Sequence, residues 1–199
     1  MTESIAEHIE ELGGVATSAQ LKEAGFAPGV IEYALNSGKI DRLTRGVYCS
    51  LDMFDDEFAA VTMRWPKCIL SLGPALYLLG LSDRAPGNLS VSVPRGYNPQ
   101  ELRRTYPDMR IHRESEGLYG LGKMTVRDPM GVTVPVYDAE RSIADIIRER
   151  AKGTVNPQLV RDAMVGYFRK DDRDLPRLAK MCEAVGVRDE LQKYLEVLG

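Results

Sequence analysis

The chain has 199 residues, 44% of them hydrophobic, which suffices for a sizeable core divided between a small module and a larger one. Its net charge of −3 excludes a protein that coats nucleic acid indiscriminately, so any DNA binding must rest on local basic clusters. Three scattered cysteines, Cys49, Cys68 and Cys182, fit neither a disulfide framework nor a zinc site, the acidic start MTESIAEHIEE is no secretory signal, and no apolar run reaches the roughly 18 residues of a membrane span, so free thiols in a reducing cytoplasm are expected.

Residues 2–12 place Ile5, Ile9 and Leu12 on one side and glutamates on the other, an amphipathic helix on which His8 is a surface residue. The stretch from Gly14 to Cys49 organises the rest. Thr17 and Gln20 have capping-box spacing, so a helix starts there and stops at Gly25. Pro28 suits the first turn of a second helix, whose amides lack partners in any case, and Gly38 ends it. Ile31, Ala34 and Leu35 share its inner face, leaving Glu32, Tyr33 and Asn36 outward as groove-facing residues. A two-stranded wing follows, with Ile40, Leu43, Val47 and Tyr48 inward around a Thr44-Arg45-Gly46 turn. Lys39, Arg42 and Arg45 make it basic.

The module boundary falls at residues 50/51. Asp52, Asp55, Asp56 and Glu57 crowd the next stretch, where acids in a helix's first turn oppose the positive end of its dipole; no further ligand set supports a metal site. The run WPKCILSLGPALYLLGLSD reads as an apolar helix in which Ala75, Leu76, Leu79 and Gly80 pack closely. LSVSV, Leu89 to Val93, alternates as a strand ended by Pro94. Residues 94–127 carry seven Lys and Arg against four Asp and Glu, the one basic segment. Within it Arg95, Arg103, Arg104, Arg110 and Arg113 interleave with Tyr97 and Tyr106, a mixture that suits phosphate contacts and stacking but equally an ordinary solvated loop and strand edge. His112 is placed on a strand, facing solvent or the arginines.

GLYGLGKMT, Gly117 to Thr125, nearly spells a phosphate-binding loop. Met124 stands where a hydroxyl must ligate magnesium, and β-branched alternation rather than a helix follows, so it reads as a glycine-rich hairpin connection. Val132 to Tyr137 is a strand that Pro135 places near an edge. Asp138 caps the helix AERSIADIIRER, with Ile143, Ile146 and Ile147 inside and Glu140, Arg141, Arg148 and Arg150 outside. After a linker at 152–157, three helical patterns at 157–168, 175–185 and 188–198 form a helical layer, with Tyr167, Arg169 and Lys170 exposed at a helix end. No nucleophile–base pair, metal-ligand spacing or intact phosphate loop is visible, so neither an enzyme nor a cofactor is expected.

The order LTRGVYCS, SLGPALYLLGLSD, VSVPRG, MRIHR and VPVYDAERSIADIIRER resembles the AbiEi family of antitoxins from type IV, abortive-infection toxin–antitoxin systems of phage defence, over about residues 10–185. The resemblance implies an α+β protein: a winged helix-turn-helix DNA-binding domain at 1–50, then a mixed α/β antitoxin domain at 51–199 whose 151–199 part is helical. It implies a cytoplasmic transcriptional autorepressor whose second domain neutralises a cognate nucleotidyltransferase-like toxin, directly or functionally. By motif, Arg42, Thr44 and Arg45 match a basic wing, and the arginines from Arg95 to Arg113 match a positive face that can also lie on DNA. The second helix departs from this pattern, since it offers no outward Arg or Lys and only Asn36 for a common base contact. Phosphate contacts are therefore expected from Lys39, Arg42 and Arg45, with Tyr33 and Asn36 approaching base edges, in two copies on an inverted-repeat operator. The alternative is a winged-helix protein-interaction module, or a transcription regulator without a toxin partner.

Overall fold

The computed structural model describes residues 4–53 and 55–198, without the side chains of 197 and 198. Residues 2 and 3 of the first predicted helix and the Leu198 side chain lie outside them. The chain packs as two compact units, residues 1–66 with 127–134, and residues 67–126 with 135–199.

In the first unit, helix α1 (Ile5–Glu11) is fixed by a reciprocal cap: the Glu7 amide donates to Ser4 Oγ at 3.3 Å and the Ser4 amide to Glu7 Oε2 at 2.8 Å. Strand β1 (Val15–Thr17) leads into α2 (Ser18–Glu23), where the predicted box is present, Gln20 N donating to Thr17 Oγ1 at 3.2 Å and Thr17 N to Gln20 Oε1 at 2.9 Å. Helix α3 (Pro28–Asn36) has its proline in the first turn, and Gly38 leaves it at φ +64°. Strands β2 (Asp41–Thr44) and β3 (Val47–Cys49) form the hairpin. The sheet order is β1-β3-β2, so the wing has three strands rather than the two predicted. Val15 and Ala16 are too short an apolar run to read as a strand; their pairing with Cys49 and Tyr48 makes them one. Ile5, Ile9, Ala16, Leu21, Ile31, Ala34 and Ile40 form the core. Helix α4 (Glu57–Arg64), capped by Asp56 Oδ1 accepting from the Ala59 amide at 3.0 Å, packs against all three strands.

The second unit is built on a five-stranded sheet of order β6-β5-β4-β8-β7. Its strands are β4 (Ile69–Leu70), β5 (Ser90–Pro94), β6 (Arg110–Glu114), β7 (Lys123–Arg127) and β8 (Thr133–Tyr137). The central strand β4 lies inside the run predicted as one apolar helix. A strand buried on both faces is continuously apolar and so has no distinguishing period; only α5 (Gly73–Leu78) keeps the helical reading. Between them Leu72 takes φ +51°, a conformation that costs a branched side chain energy. β8 lies between β4 and β7, so Pro135 sits in an interior strand and β7 is the edge. Short helices α6 (Gln100–Thr105) and α7 (Glu116–Tyr119) replace parts of the predicted loop and the predicted glycine-rich connection.

Helices α8 (Ala139–Ala151), α9 (Pro157–Arg169), α10 (Leu175–Val185) and α11 (Arg188–Leu198) follow as predicted. Ile143, Ile146, Met164, Tyr167 and Leu178 lie in their shared core with Leu76 of α5. α8 corrects the sequence reading: Glu140 and Arg141 are buried and Arg148 is half-buried rather than outside. A helix covered on most of its circumference has no solvated face, so its charged residues pair internally. Arg141, fully buried, meets Asp145 at 3.0 Å and Glu114 at 3.5 Å, and donates to the carbonyls of Leu118 and Leu121 at 2.6 and 3.1 Å. Its guanidinium lies 4.4 Å from the Tyr137 ring centroid. Arg148 bridges the same Glu114 and Asp145. Tyr167 is also buried, its hydroxyl donating to Glu140 at 2.9 Å, rather than exposed at a helix end.

Candidate nucleic-acid interface

The wing hairpin is positioned by its turn. Gly46 takes φ +79°, and its carbonyl accepts from both the amide and the hydroxyl of Ser18, at 2.9 and 3.2 Å. The start of α2 is therefore tied to the wing tip, which presents Arg45 to solvent. Lys39 Nζ stands 5.7 Å from the Tyr33 ring centroid and the Arg42 guanidinium 5.9 Å from that of Tyr48. Contacts of this kind hold a long cation over a flat surface while its charge stays wet.

On α3, Tyr33 is 65% exposed and Asn36 is exposed, as groove-facing residues must be. Exposed Val30 and Glu32 flank them. Thr44 behaves differently. Its hydroxyl accepts from Arg64 Nη1 at 3.0 Å, and the Arg64 guanidinium stacks 4.5 Å from the Trp65 ring centroid. Arg64 is thus a cation at the wing that the sequence reading missed. The adjacent Arg64-Trp65 pair was the available signal, but nothing local showed that α4 folds back on the hairpin. Asp41 tempers this patch: its carboxylate accepts from the Arg42 amide at 2.7 Å.

The arginines of the basic segment are all exposed, yet they do not form one face. Arg110 and Arg113 stand three apart on β6, so their side chains leave opposite sides of the sheet. Arg110 shares a side with Glu114, the partner of Arg148, and donates to the Thr154 carbonyl at 3.1 Å. Arg103 and Arg104 occupy the last turn of α6, where their charge suits the negative end of the helix dipole, and Arg95 follows β5, its amide bound to the Glu114 carbonyl at 2.8 Å. His112 turns inward: its Nε2 is buried without a partner and burial lowers its pKa, against the placement of this residue toward solvent or the arginines.

The three cysteines are free and buried, and burial raises their thiols to about 11 for Cys49 and about 12 for Cys68 and Cys182, which leaves them protonated and unreactive near neutrality. Among the described residues no cluster of His, Cys, Asp and Glu could hold a metal ion, and no helix is long and apolar enough to cross a membrane.

Residues 3–50 match the family described as "Transcriptional regulator, AbiEi antitoxin". The match covers the winged helix through the end of β3. A similar solved structure is that of the RV2827C protein from Mycobacterium tuberculosis, with 14% identity and a TM-score of 0.53 over 97% of this chain and 80% of that one. At that identity the likeness is one of fold. No curated protein matches the chain. Residues 3–50 thus resemble the regulator module of that family, within a chain of α+β architecture.

Proposed function

We propose that the chain is an antitoxin and autorepressor that binds an inverted-repeat operator of its own operon and neutralises a nucleotidyltransferase-like toxin, by contact or by opposing its effect. The observation that carries this reading is the wing: Lys39, Arg42 and Arg45 are exposed around a tip locked to the start of α2, in a module of the antitoxin regulator family. Most of the binding energy is assigned to phosphate contacts from these three, helped by Arg64. Tyr33 and Asn36 reach base edges, and Asn36 is the one outward α3 side chain suited to a bidentate base contact, with adenine. The arginines from Arg95 to Arg113 divide between two sides of a sheet, so they act as separate contacts along the duplex. We assign the chain no enzymatic activity and no cofactor.

The test is a titration of full-length protein against the DNA upstream of its gene at several salt concentrations. Affinity should fall steeply with salt, and Arg45→Ala should weaken binding and reduce the log–log salt slope by about one unit. The same variant should lose repression while still protecting cells from the toxin. Absent or salt-insensitive binding sinks the repressor reading. A second reading, docking of a protein partner on α3, is favoured by the exposed apolar surface of Val30 and Tyr33 beside Glu32. That interaction would lose affinity on Tyr33→Ala and change little with salt.

A further inference from the structure

We infer that the second unit holds a binding site for a small organic anion, a carboxylate or phosphate monoester with a compact apolar body, in a cavity of about 360 Å³ between the edge of the sheet and α9. This goes beyond DNA binding and toxin neutralisation and does not depend on either. Arg84 and Arg110 line the cavity with Asn88 and Ser90; Leu72 and Leu159 supply apolar wall.

Ser90 is the residue that marks it as a site. It is only 3% exposed, and its hydroxyl is buried with no hydrogen-bond partner. An unmatched buried hydroxyl is costly to retain, and a ligand oxygen accepting from it removes the cost. Ser90 opens β5 as Arg110 opens β6. The two are in register in a parallel pair, so both side chains stand side by side on one side of the sheet. Arg110 is anchored by its Nη1 bond to the Thr154 carbonyl, which orients the fork without neutralising its charge. Arg84 meets Asp162 through Nε at 3.0 Å and remains 65% exposed, so its terminal nitrogens stay available. A guanidinium fork matches a planar carboxylate or a phosphate face with two parallel hydrogen bonds, and a neighbouring hydroxyl donates to the same head group. The volume lies at the small end of ligand cavities, which suits a single ring or short chain rather than a dinucleotide.

The experiment titrates the full chain calorimetrically with phenyl phosphate, benzoate and inorganic phosphate, and with phenol as the uncharged control. Saturable one-to-one binding of phenyl phosphate or benzoate, but not phenol, is expected, and which of the two binds identifies the head group. Arg110→Gln should weaken it by about tenfold or more, the loss of one charge-assisted bond. Ser90→Ala should weaken it severalfold while the melting temperature stays level or rises. The inference fails if no organic anion saturates, if only inorganic phosphate binds, or if Arg110→Gln leaves affinity unchanged. It fails too if Ser90→Ala lowers the melting temperature with affinity intact, because the hydroxyl then serves the fold alone. Should Arg110→Gln weaken operator binding while no small anion binds, the cavity belongs to the DNA backbone and the inference is wrong.

Discussion

Two buried charge sites determine how single residues behave here. Arg141 answers two carboxylates and two carbonyls in a place closed to water. Removing one partner of such a set leaves the others charged and unpaired, so Arg141→Met should cost about 3–5 kcal/mol in urea denaturation, far more than an exposed arginine such as Arg150. In the first unit Asp56 and Asp128 form a second site. Both are buried, and each has an Oδ2 without a hydrogen-bond partner, an environment that favours the protonated form of Asp56. Burial first, then the neighbouring Asp128, pushes Asp56 up to about 7 from its ordinary 3.8. A carboxyl raised in the folded state stabilises most below its unfolded value, and that stability drains away as pH climbs toward 7. Glu114 and Glu149 are lowered and act in the opposite sense, losing their contribution as pH falls through the acid range. Asp128→Asn keeps an oxygen for the Met130 and Val132 amides and gives Asp56 a donor. It should raise the melting temperature at pH 8 and change it little at pH 5; an equal change at both would show that Asp56 does not titrate between them. Sequence could show Asp56 only as a helix-start residue, because Asp128 lies 72 positions away.

At the scale of elements, the local rules succeeded where a signal was local. The Thr17–Gln20 cap, the Pro28 start and the Gly38 exit of α3 were all legible, as was the Asp138 cap of α8. They failed at β1 and β4, which are strands because of what they pair with, and at α8, whose outer charges were mistaken for a wet face. Of the candidate interface, Tyr33, Asn36, Lys39, Arg42 and Arg45 are exposed, whereas Thr44 is engaged by Arg64, whose approach depends on tertiary packing. Gly166 in α9 offers a test of packing against propensity. Replacing a helical glycine by alanine ordinarily stabilises by about 1 kcal/mol. Here the new Cβ would lie 2.4 Å from the Leu81 carbonyl oxygen, a backbone atom that cannot swing aside. Gly166→Ala should therefore destabilise, by about 1–3 kcal/mol, as a lowered midpoint in thermal melts.

For the molecule as a whole, the regulator module is larger than its recognisable sequence. Residues 3–50 carry the family match, but Met53 packs on Gly14, α4 covers the strands and Asp128 returns to Asp56. A fragment of residues 1–50 should give a non-cooperative melt and poorly dispersed amide resonances, whereas the full chain gives neither. A cooperative transition from the fragment would show that the added pieces are ornament.

The inclusion of residues 127–134 in the first unit also bears on timing. A ribosome delivers α3 early, yet the segment that completes its unit is made only after most of the second unit's sheet has been translated. The first unit cannot finish assembling until the chain has been read well past its midpoint. A nascent or prematurely terminated product therefore lacks a complete first unit, and completion of that unit coincides with synthesis of most of the second unit's sheet.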